Sequence, residues 1–535
     1  MGTSGRLSLS WINKDRSLVS TQDGGYQWVD RDDFRVTETR LLRDVATVGE
    51  VNDDLKRAGD NLMITGDSGD ALRALTRLPE FAKEYRGKVK LVYIDPPFNT
   101  GQAFDQYDDG LEHSVWLTML RDRLILIRDL LAEDGSVWVH LDDAEAAYAR
   151  VVLDEIFGRS NFVATIIWEK ADSPRNSARQ FSTDHDYIHV YSKRPDWVPN
   201  KLPRTDEANS IYENPDGDPK GPWYPGDPFA NKPYSLGKYK VTGPTGREFQ
   251  PPPGRYWRIS EERFWDLDSK GAIWWGPTGD ARPSIKRYLS EVSDLVPRTL
   301  WRHPEVGSNR TSKNEMRKLF PGVASFATPK PERFMERVLQ ISTQPGDIVL
   351  DCFGGSGTTA AVAHKMNRRW VTIEREPDTV ATYLRPRLEM VVSGEDRGGI
   401  SESVGWEKGG GFRQIEVAPS MYELLGNRLL LAPWVVGEAF TEAACAQIPG
   451  FELERDAEPP FVGRKGRQRL AVVDGLITES TVRAAVEALN EDEKVLVVGK
   501  SYLREAASLL EKLSPGSRIK KAPQDLLDMK GRVLR

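Results

Sequence analysis

Four consecutive residues, Asp95-Pro96-Pro97-Phe98, directly follow an apolar run over 89–94 that predicts a buried strand. Proline has no N–H donor, so the carbonyl groups around two successive prolines are expected to stay free as acceptors. The Asp95 carboxylate and the Pro96 carbonyl could then accept both hydrogens of an amino group on an aromatic ring and orient its lone pair for attack. Phe98 offers an apolar face to that ring. The alternative is a Pro-Pro turn that only caps the strand.

A second candidate run, 351–359, is rich in glycine and lies between a predicted strand and a predicted helix. Glycines let the backbone approach a ligand closely, and a helix N-terminus favours a negative group such as a carboxylate. The next predicted strand ends at Glu374, whose carboxylate could accept hydrogen bonds from ribose hydroxyl groups. The same loop could also serve a dinucleotide or be a purely structural turn.

Both runs must be positioned by the elements around them. Short apolar segments alternate with helical patterns, which predicts a parallel α/β sheet. The predicted strands are 62–65, 89–94, 136–141, 162–168, 187–192, 347–351 and 370–374, and the predicted helices are 116–131, 144–157, 331–341, 357–366 and 378–392. Ligands of such sheets bind at the carboxyl ends of the strands, where both runs lie.

The alternation stops at about residue 194 and resumes at about 326, which divides the chain into five regions. These are an N-terminal extension (1–60), a first half of the sheet (61–193), an inserted Pro- and Gly-rich domain (194–325), a second half of the sheet (326–411) and a small C-terminal α/β domain (412–535). Gly499-Lys500-Ser501 follows a predicted strand, but Lys494 stands where a nucleotide-binding loop needs its first glycine. ATP binding there is therefore not expected.

The net charge of −6 is unevenly spread. Residues 168–333 contain 27 Lys and Arg against 22 Asp and Glu, together with 8 of the 15 tryptophans. A local surplus of cations and aromatic rings suits phosphate contact and base stacking. The alternative is a Trp-rich core with a solvated basic face.

Other function classes are disfavoured by composition. Two cysteines and six histidines without metal-ligand spacing predict no metal site and no disulfide framework. No apolar run approaches the roughly 20 residues that span a bilayer, and the N-terminus has no basic-then-apolar leader. We expect a cytoplasmic protein.

Taken together and in this order, the two runs resemble those of the β class of DNA amino-methyltransferases. The resemblance is closest to the modification subunits of type III restriction-modification systems. Supporting segments are 9–15, Gly66-Asp67, 113–117, 153–158 and Thr328-Pro329-Lys330-Pro331. The resemblance implies a Rossmann-like class I methyltransferase sheet, circularly permuted, with an inserted target-recognition domain. The stretch after Phe412 lies outside it.

The resemblance also implies a site for S-adenosylmethionine. Asp67 is expected to contact the adenine of this cofactor and Glu374 its ribose, while Thr328 and Lys330 hold its carboxylate. Catalytic roles are expected for Asp95, Pro96, Pro97 and Phe98, and further cofactor contacts for Asp95, Asp351, Phe353, Gly355, Ser356, Gly357 and Thr358. The sequence departs from the family at Cys352, where proline or phenylalanine is common, and at Phe98, where tyrosine is commoner.

The function implied is methyl transfer to N6 of adenine in a nucleotide flipped out of double-stranded DNA, within a restriction-modification or phage-defence system. The alternatives are N4 of cytosine and, in another class, a non-catalytic specificity or scaffold subunit that recruits a nuclease. A dinucleotide-dependent enzyme leaves residues 95–98 unexplained. A separate restriction or helicase subunit and a homodimer are expected partners.

The insertion is expected to read the DNA sequence. The residues proposed to meet phosphates and guanine edges are Arg247, Arg255, Arg258, Arg282, Lys286 and Arg287. Phe181 or Tyr187 could line the pocket for the flipped base, although a buried aromatic residue on a strand is more commonly part of the core.

Overall fold

The computed structural model describes residues 7–21, 25–51, 60–97, 112–426 and 428–531, and the backbone of two short strands at Ala103–Phe104 and Tyr107–Asp108. Two compact units are present. Residues 200–297 form one, and the rest of the chain forms the other. The first lies inside the predicted insertion, 194–325, and is shorter at both ends.

In the described part of the larger unit, ten strands form one mixed sheet. They are β1 (Leu42–Gly49), β2 (Asn61–Thr65), β3 (Val89–Ile94), β4 (Leu131–Leu141), β5 (Phe162–Glu169), β6 (His185–Ser192), β7 (Leu300–Trp301), β8 (Ile348–Asp351), β9 (Arg369–Glu374) and β10 (Gly411–Val417). Their order is β7-β5-β6-β4-β3-β8-β9-β2-β10-β1. The six strands from β4 to β10 in that order are parallel.

Helices connect these strands and flank the sheet. They are α1 (Ser68–Arg77), α2 (Pro79–Tyr85), α3 (His113–Leu130), α4 (Ala146–Phe157), α5 (Asn309–Leu319), α6 (Glu332–Ser342), α7 (Thr358–Lys365) and α8 (Arg385–Ser393). The predicted helix 378–392 is divided, because a short turn at Pro377–Thr379 and a π-helical turn at Val380–Leu384 precede α8. The α/β sheet with a parallel centre that the sequence predicts is confirmed.

The central strands are buried on both faces, which is why they read as unbroken apolar runs. In β3 only Lys90 is partly exposed, and β8 is buried along its whole length. These two strands come from the two predicted halves of the sheet and pair with each other, Leu91 with Val349 and Val92 with Leu350. The carboxyl end of β3 therefore lies beside the carboxyl end of β8.

A second sheet lies in the C-terminal region, with strands in chain order. These strands are β11 (Glu452–Leu453), β12 (Phe461–Lys465), β13 (Gln468–Ile477), β14 (Lys494–Tyr502) and β15 (Arg518–Lys521), with helices α9 (Glu438–Ala446), α10 (Glu479–Glu487), α11 (Arg504–Leu513) and α12 (Gln524–Gly531). Gly499-Lys500-Ser501 lies inside β14 and not in a loop after it, so the comparison with a nucleotide-binding loop was wrong in its structural premise.

The unit 200–297 is built from short strands around aromatic side chains. Trp223–Gly226, Ser284–Tyr288 and Ile273–Trp274 form a three-stranded sheet, beside the pairs Phe229–Ala230 with Tyr256–Trp257 and Val241–Thr242 with Glu248–Phe249, and the helices Asp206–Asn209 and Glu261–Ser269. Its core contains Phe229, Trp257, Phe264 and Trp275.

Five tryptophans of the 168–333 stretch are buried, at positions 168, 223, 257, 275 and 301. Packing therefore accounts for five of the eight tryptophans, as the Trp-rich-core alternative proposed.

Candidate active site

Asp95 directly follows Ile94, the last residue of β3, and its two carboxylate oxygens differ. Lys330 Nζ lies 2.5 Å from Oδ2. Oδ1 is buried and has no hydrogen-bond partner among the described residues. A buried carboxylate oxygen without a donor is costly and uncommon, so Oδ1 is the acceptor at this sheet edge that a donor on a ligand would satisfy.

The two prolines after Asp95 are not equivalent either. The Pro97 carbonyl accepts a hydrogen bond of 2.6 Å from Nε1 of the fully buried Trp116 in α3. The expectation that the carbonyls around both prolines stay free was therefore wrong for Pro97, and the Pro96 carbonyl remains the candidate second acceptor. Phe98, the predicted stacking residue, lies outside the described residues.

The glycine-rich loop follows β8 and leads into α7. Gly357 has φ +78°, and a Cβ there would lie 2.7 Å from Cδ1 of Leu384, so this position requires glycine. Phe353 N–H donates to Asp351 Oδ1 at 3.0 Å, and Thr359 Oγ1 donates to Oδ2 at 2.6 Å. Each carboxylate oxygen of Asp351 therefore accepts a hydrogen bond from within the loop 351–359.

The buried Asp351 also lies close to other carboxylates. Burial, together with the negative charges of Asp95 and Glu374, raises its pKa to about 7, against the hydrogen bonds from Thr359 and Phe353. Its predicted direct contact with a cofactor remains a prediction, but the geometry makes it a positioning residue for the loop.

Glu374 ends β9, next to β8, and connects two loops at the same sheet edge. Its Oε2 accepts the Gly355 N–H at 2.7 Å and its Oε1 accepts the Glu376 N–H at 2.9 Å. Burial raises the pKa of Glu374, partly offset by these hydrogen bonds. Each oxygen retains a lone pair, so acceptance from a ribose hydroxyl stays compatible with these contacts.

Asp67 begins α1 as its N-cap, with Oδ1 accepting the Gly69 N–H at 2.8 Å. Its Oδ2 accepts from Arg123 Nη2 at 2.9 Å. Although burial opposes it, the Arg123 guanidinium and these backbone donors hold the pKa of Asp67 below its usual range. The carboxylate is therefore occupied by the protein on both oxygens.

The segment before α6 carries Thr328, which is half-buried, and Lys330, which is buried. The Lys330 carbonyl accepts from Thr358 Oγ1 at 3.3 Å, so the lysine is connected to the glycine-rich loop as well as to Asp95. Ser356 Oγ lies 3.2 Å from Thr358 Oγ1. The structure therefore brings Asp95, Lys330 and the loop 351–359 together.

Sequence reasoning missed a buried ionic cluster behind this loop. Arg387 in α8 donates to the Ser356 carbonyl at 3.2 Å and to Thr358 Oγ1 at 2.8 Å. It also pairs with Glu332 at 2.9 Å, which in turn pairs with Lys365 at 2.8 Å. The sequence did contain a sign of this cluster. Arg387 is a charged residue on the face of the predicted helix 378–392 where an apolar residue is expected.

A second polar network that was missed lies beneath β3. Tyr93 Oη lies 2.7 Å from His140 Nδ1, and His140 Nε2 lies 3.2 Å from Asp186 Oδ2. Lys170 pairs with the other oxygen of Asp186 at 2.6 Å. Burial acts to raise the pKa of Asp186, but the hydrogen bond of His140 and the charge of Lys170 outweigh it and lower this pKa to about 2.

The two predicted base-pocket aromatics differ in burial. Phe181 is 92% exposed in the loop between β5 and β6, so its interpretation as core is wrong. Tyr187 in β6 is partly buried and packs against the main core, with its hydroxyl 2.9 Å from His185 Nε2. The base-pocket role stays a prediction for both.

Most of the basic residues assigned to DNA in the unit 200–297 are engaged within that unit. Lys286 is buried and pairs with Asp216 and Asp218. Arg255 pairs with Asp227 and Arg247 with Asp280. Arg258 donates to the Asp227 carbonyl, and Arg282 lies over the Phe229 ring. Arg287 is exposed. A phosphate contact by Lys286 is therefore contradicted by its burial.

None of the helices in the described residues is both long and apolar enough to cross a membrane. Within the same residues, no group of three or more His, Cys, Asp or Glu side chains has the arrangement of a metal site.

A family model described as DNA methylase matches residues 89–385. Among curated proteins, the probable type III restriction-modification enzyme HindVI Mod subunit of Haemophilus influenzae is 32% identical over 439 residues, which cover 68% of this chain and 56% of that protein. The type II methyltransferase M.EcaI of Enterobacter cloacae is 31% identical over 307 residues, covering 56% and 64%. The chain therefore spans less than two thirds of the length of each of these relatives.

Among solved structures, PvuII DNA methyltransferase (cytosine-N4-specific) is 18% identical with a TM-score of 0.34, covering 61% of this chain and 86% of that one.

Proposed function

Because the chain belongs to the DNA methylase family, we propose that it transfers a methyl group from S-adenosylmethionine to an exocyclic amino nitrogen of a base in DNA. The observation that carries the proposal is the pair of unequal oxygens on Asp95. Oδ2 is held by Lys330, and Oδ1 is left without a donor at the sheet edge shared with the glycine-rich loop.

The residues at this edge suit such a cofactor. S-adenosylmethionine supplies, when bound, a methyl group on a sulfonium centre that leaves as a neutral thioether. Lys330 is a buried cation beside Asp95, and its positive charge suits the carboxylate of the cofactor. Glu374 retains acceptor capacity for ribose hydroxyls, and the loop at Gly355–Gly357 offers close backbone approach. The contacts of Asp67 with the cofactor adenine and of Asp351 with the cofactor stay part of the proposal, and both carboxylates also hold the backbone next to them in place.

The chain's own residues would do the rest by orientation. A base amino group is a poor nucleophile because its lone pair is delocalised. Asp95 Oδ1 and the Pro96 carbonyl accept its two hydrogens and turn the lone pair toward the methyl group, and such positioning is a large part of catalysis. The base must first leave the duplex stack, at a penalty of a few kcal/mol. We assign Asp95 as the acceptor of the proton released afterwards.

We further propose adenine N6 as the target, with cytosine N4 as the alternative, since aspartate at position 95 is the residue that the resemblance associates with adenine. The similarity to proteins named Mod subunits supports a role in a restriction-modification system. A separate restriction subunit and a homodimer are proposed partners.

The test measures transfer of tritium from labelled S-adenosylmethionine to duplex DNA by the full chain. Asp95→Asn keeps the shape of the side chain but replaces an acceptor with a donor, and we expect a loss of about 100-fold or more. Asp456→Asn, an exposed position in the C-terminal region, is the matched control and should keep full activity.

Mass spectrometry of the digested DNA nucleosides separates N6-methyl-2′-deoxyadenosine from N4-methyl-2′-deoxycytidine. Equal, background-level transfer by the wild type and Asp95→Asn, with cofactor binding intact in both, would refute the proposal and favour a non-catalytic specificity subunit.

A further inference from the structure

The basic surplus of residues 168–333 is confined to a short part of it. Residues 168–199 hold five Lys and Arg against five Asp and Glu, and residues 200–297 hold 14 of each. Residues 298–333 hold eight Lys and Arg against three Asp and Glu. The surplus therefore lies outside the compact unit 200–297, which contains all six residues named for DNA contact, although α5 itself belongs to the predicted insertion 194–325.

Within that short part, α5 presents its cations on one face. Arg310, Lys313 and Arg317 are spaced by three and four residues, which places them in a row along the helix. All three are exposed, as is Lys318 beside them. The opposite face is fixed to the protein, because Met316 is buried against Phe326 and Tyr383.

The cations of α5 are little neutralised by carboxylates. Arg310 pairs with Asp172 at 3.2 Å. Across the described ranges, Lys313, Arg317 and Lys318 have no carboxylate partner, and Arg317 donates only to Asn314 Oδ1. The single acidic residue of the helix, Glu315, is directed inward, where its Oε2 accepts the Glu332 N–H at 3.2 Å. It does not offset the exposed charge.

The helix begins at the sheet edge that carries the candidate active site. Asn309 N–H donates to the Lys170 carbonyl, directly after β5 ends, at 2.9 Å. Strand β5 runs antiparallel to β6, which runs antiparallel to β4, so β5 ends at the same edge as β3 and Asp95. The chain then leaves α5 and reaches Lys330, which pairs with Asp95.

The loop between β5 and β6 flanks this helix. It is connected to α5 by the Arg310–Asp172 pair. Arg175 and Arg179 are exposed in it, and the exposed Phe181 lies between them and β6. Arginines interleaved with an exposed ring are a composition that suits contact with nucleic acid.

We propose that the exposed face of α5, formed by Arg310, Lys313, Arg317 and Lys318, binds the phosphate backbone of duplex DNA beside the active site. The inference rests on the proposed function, since it presumes a DNA substrate. It assigns the sequence-independent part of DNA affinity to the unit that holds the sheet. Phosphate contacts of this kind fix the orientation of a protein on the duplex and carry no sequence information themselves.

The test compares two triple variants of the full chain that remove the same charge. Lys313→Gln/Arg317→Gln/Lys318→Gln alters α5. Arg464→Gln/Lys465→Gln/Arg467→Gln alters exposed positions at the β12–β13 turn and serves as control. Glutamine keeps helix propensity close to that of lysine and arginine. Affinity for a duplex oligonucleotide is measured by fluorescence anisotropy over a range of NaCl concentrations.

Each phosphate neutralised contributes about 0.9 to the slope of log K against log salt. We expect the α5 variant to lower the slope by about 2 to 3 and the affinity by about 10-fold or more at 100 mM salt, with cofactor binding by calorimetry unchanged. The control should keep the wild-type slope. An unchanged slope in the α5 variant, or an equal fall in both variants, overturns the inference while leaving methylation by the wild type intact. A wild type that neither binds nor methylates DNA overturns the proposed function as well.

Discussion

Helix α5 and the compact unit 200–297 both contain cations proposed for DNA contact, but three of those in the unit are neutralised by carboxylates. In the unit, Lys286, Arg255 and Arg247 each pair with carboxylates of the same unit. On α5, Lys313, Arg317 and Lys318 lack such partners among the described residues. A paired cation contributes little field at a distance, whereas an unpaired row attracts an anion. Charge that serves folding and charge that is available to a ligand are therefore distinguished by partners and not by number.

The comparison suggests that the two regions contribute differently to DNA binding. The unit 200–297 has equal numbers of acidic and basic residues, so its charge does not favour attraction of a duplex, and its reading of base edges stays a prediction. Helix α5 suits attraction and orientation. The proposals for the two regions can be tested independently.

The largest effect is expected from replacing residues 200–297 with a short Gly-Ser linker. The ends of the unit meet, since Leu202 and Leu295 exchange two backbone hydrogen bonds of 2.8 Å, so a short linker can bridge them. We expect methylation at specific sites to fall by about 100-fold or more, while the salt slope for non-specific DNA stays within about 1 of wild type. Methylation-sensitive sequencing and anisotropy measure the two. If the variant kept its site preference, this unit would not be the recognition element. If the salt slope of the variant collapsed, α5 would not be the region that attracts DNA.

A smaller effect is expected from Lys286→Met. The change leaves Asp216 and Asp218 facing each other without their cation, which we expect to lower the free energy of unfolding of this unit by about 3 kcal/mol. Denaturation monitored by tryptophan fluorescence measures it. Arg287→Met, at the exposed neighbouring position, is the control and should cost less than about 0.5 kcal/mol. Equal effects of the two variants would mean that Lys286 is not a structural cation.

The sheet edge that carries α5 can be examined without DNA through Asp351, whose pKa is raised from 3.8 to about 7. A carboxyl group with a raised folded-state pKa binds its proton more tightly when folded, so its contribution to stability is present at low pH and is lost as the pH rises through about 7. Asparagine cannot titrate. Between pH 5 and pH 8 we therefore expect the free energy of unfolding of the wild type to fall by about 1–3 kcal/mol more than that of Asp351→Asn. Parallel pH profiles in urea denaturation would contradict this.

The smallest effect is expected from Arg247→Gln, which removes one exposed member of an ion pair with Asp280 whose side chains are 58% and 51% exposed. Surface pairs contribute about 0–1 kcal/mol, so stability should barely change. The salt slope should change by less than about 0.5, against about 0.9 for Lys313→Gln. If the two substitutions lowered the slope equally, the distinction between paired and unpaired cations would fail.

The fold could be predicted where hydrophobic pattern decides it. The strand over 89–94 was predicted with its observed bounds, because a central strand buried on both faces is an unbroken apolar run. The insertion was predicted from the failure of that pattern, and its Pro- and Gly-rich character matches a unit of short strands. Boundaries were less accurate where sheet pairing extends an element. An example is β4, which begins at Leu131 and not at 136 because Leu131 pairs with Val89.

Side-chain roles were less predictable. Asp95, Lys330 and the loop 351–359 were predicted as site residues, and the structure brings them together. Arg387 and His140 were missed, because burial of a polar group depends on neighbours distant in the chain. The basic surplus was correct as a count, but a window of 168–333 does not separate α5 from the unit 200–297, in which acidic and basic residues are equal in number.

The sequence alone determined which chemical groups are available: an acceptor-rich turn follows one buried strand, and a glycine-rich loop follows another. Strand periodicity and turn residues are local properties, so they can be read without coordinates. Only the tertiary structure decided that β3 pairs with β8, that one oxygen of Asp95 is taken by Lys330 and the other is not, and which lysines are neutralised. These outcomes depend on contacts between residues distant in the sequence, such as Asp95 and Lys330, which lie 235 positions apart, and partner identity at that separation is a property of the folded chain.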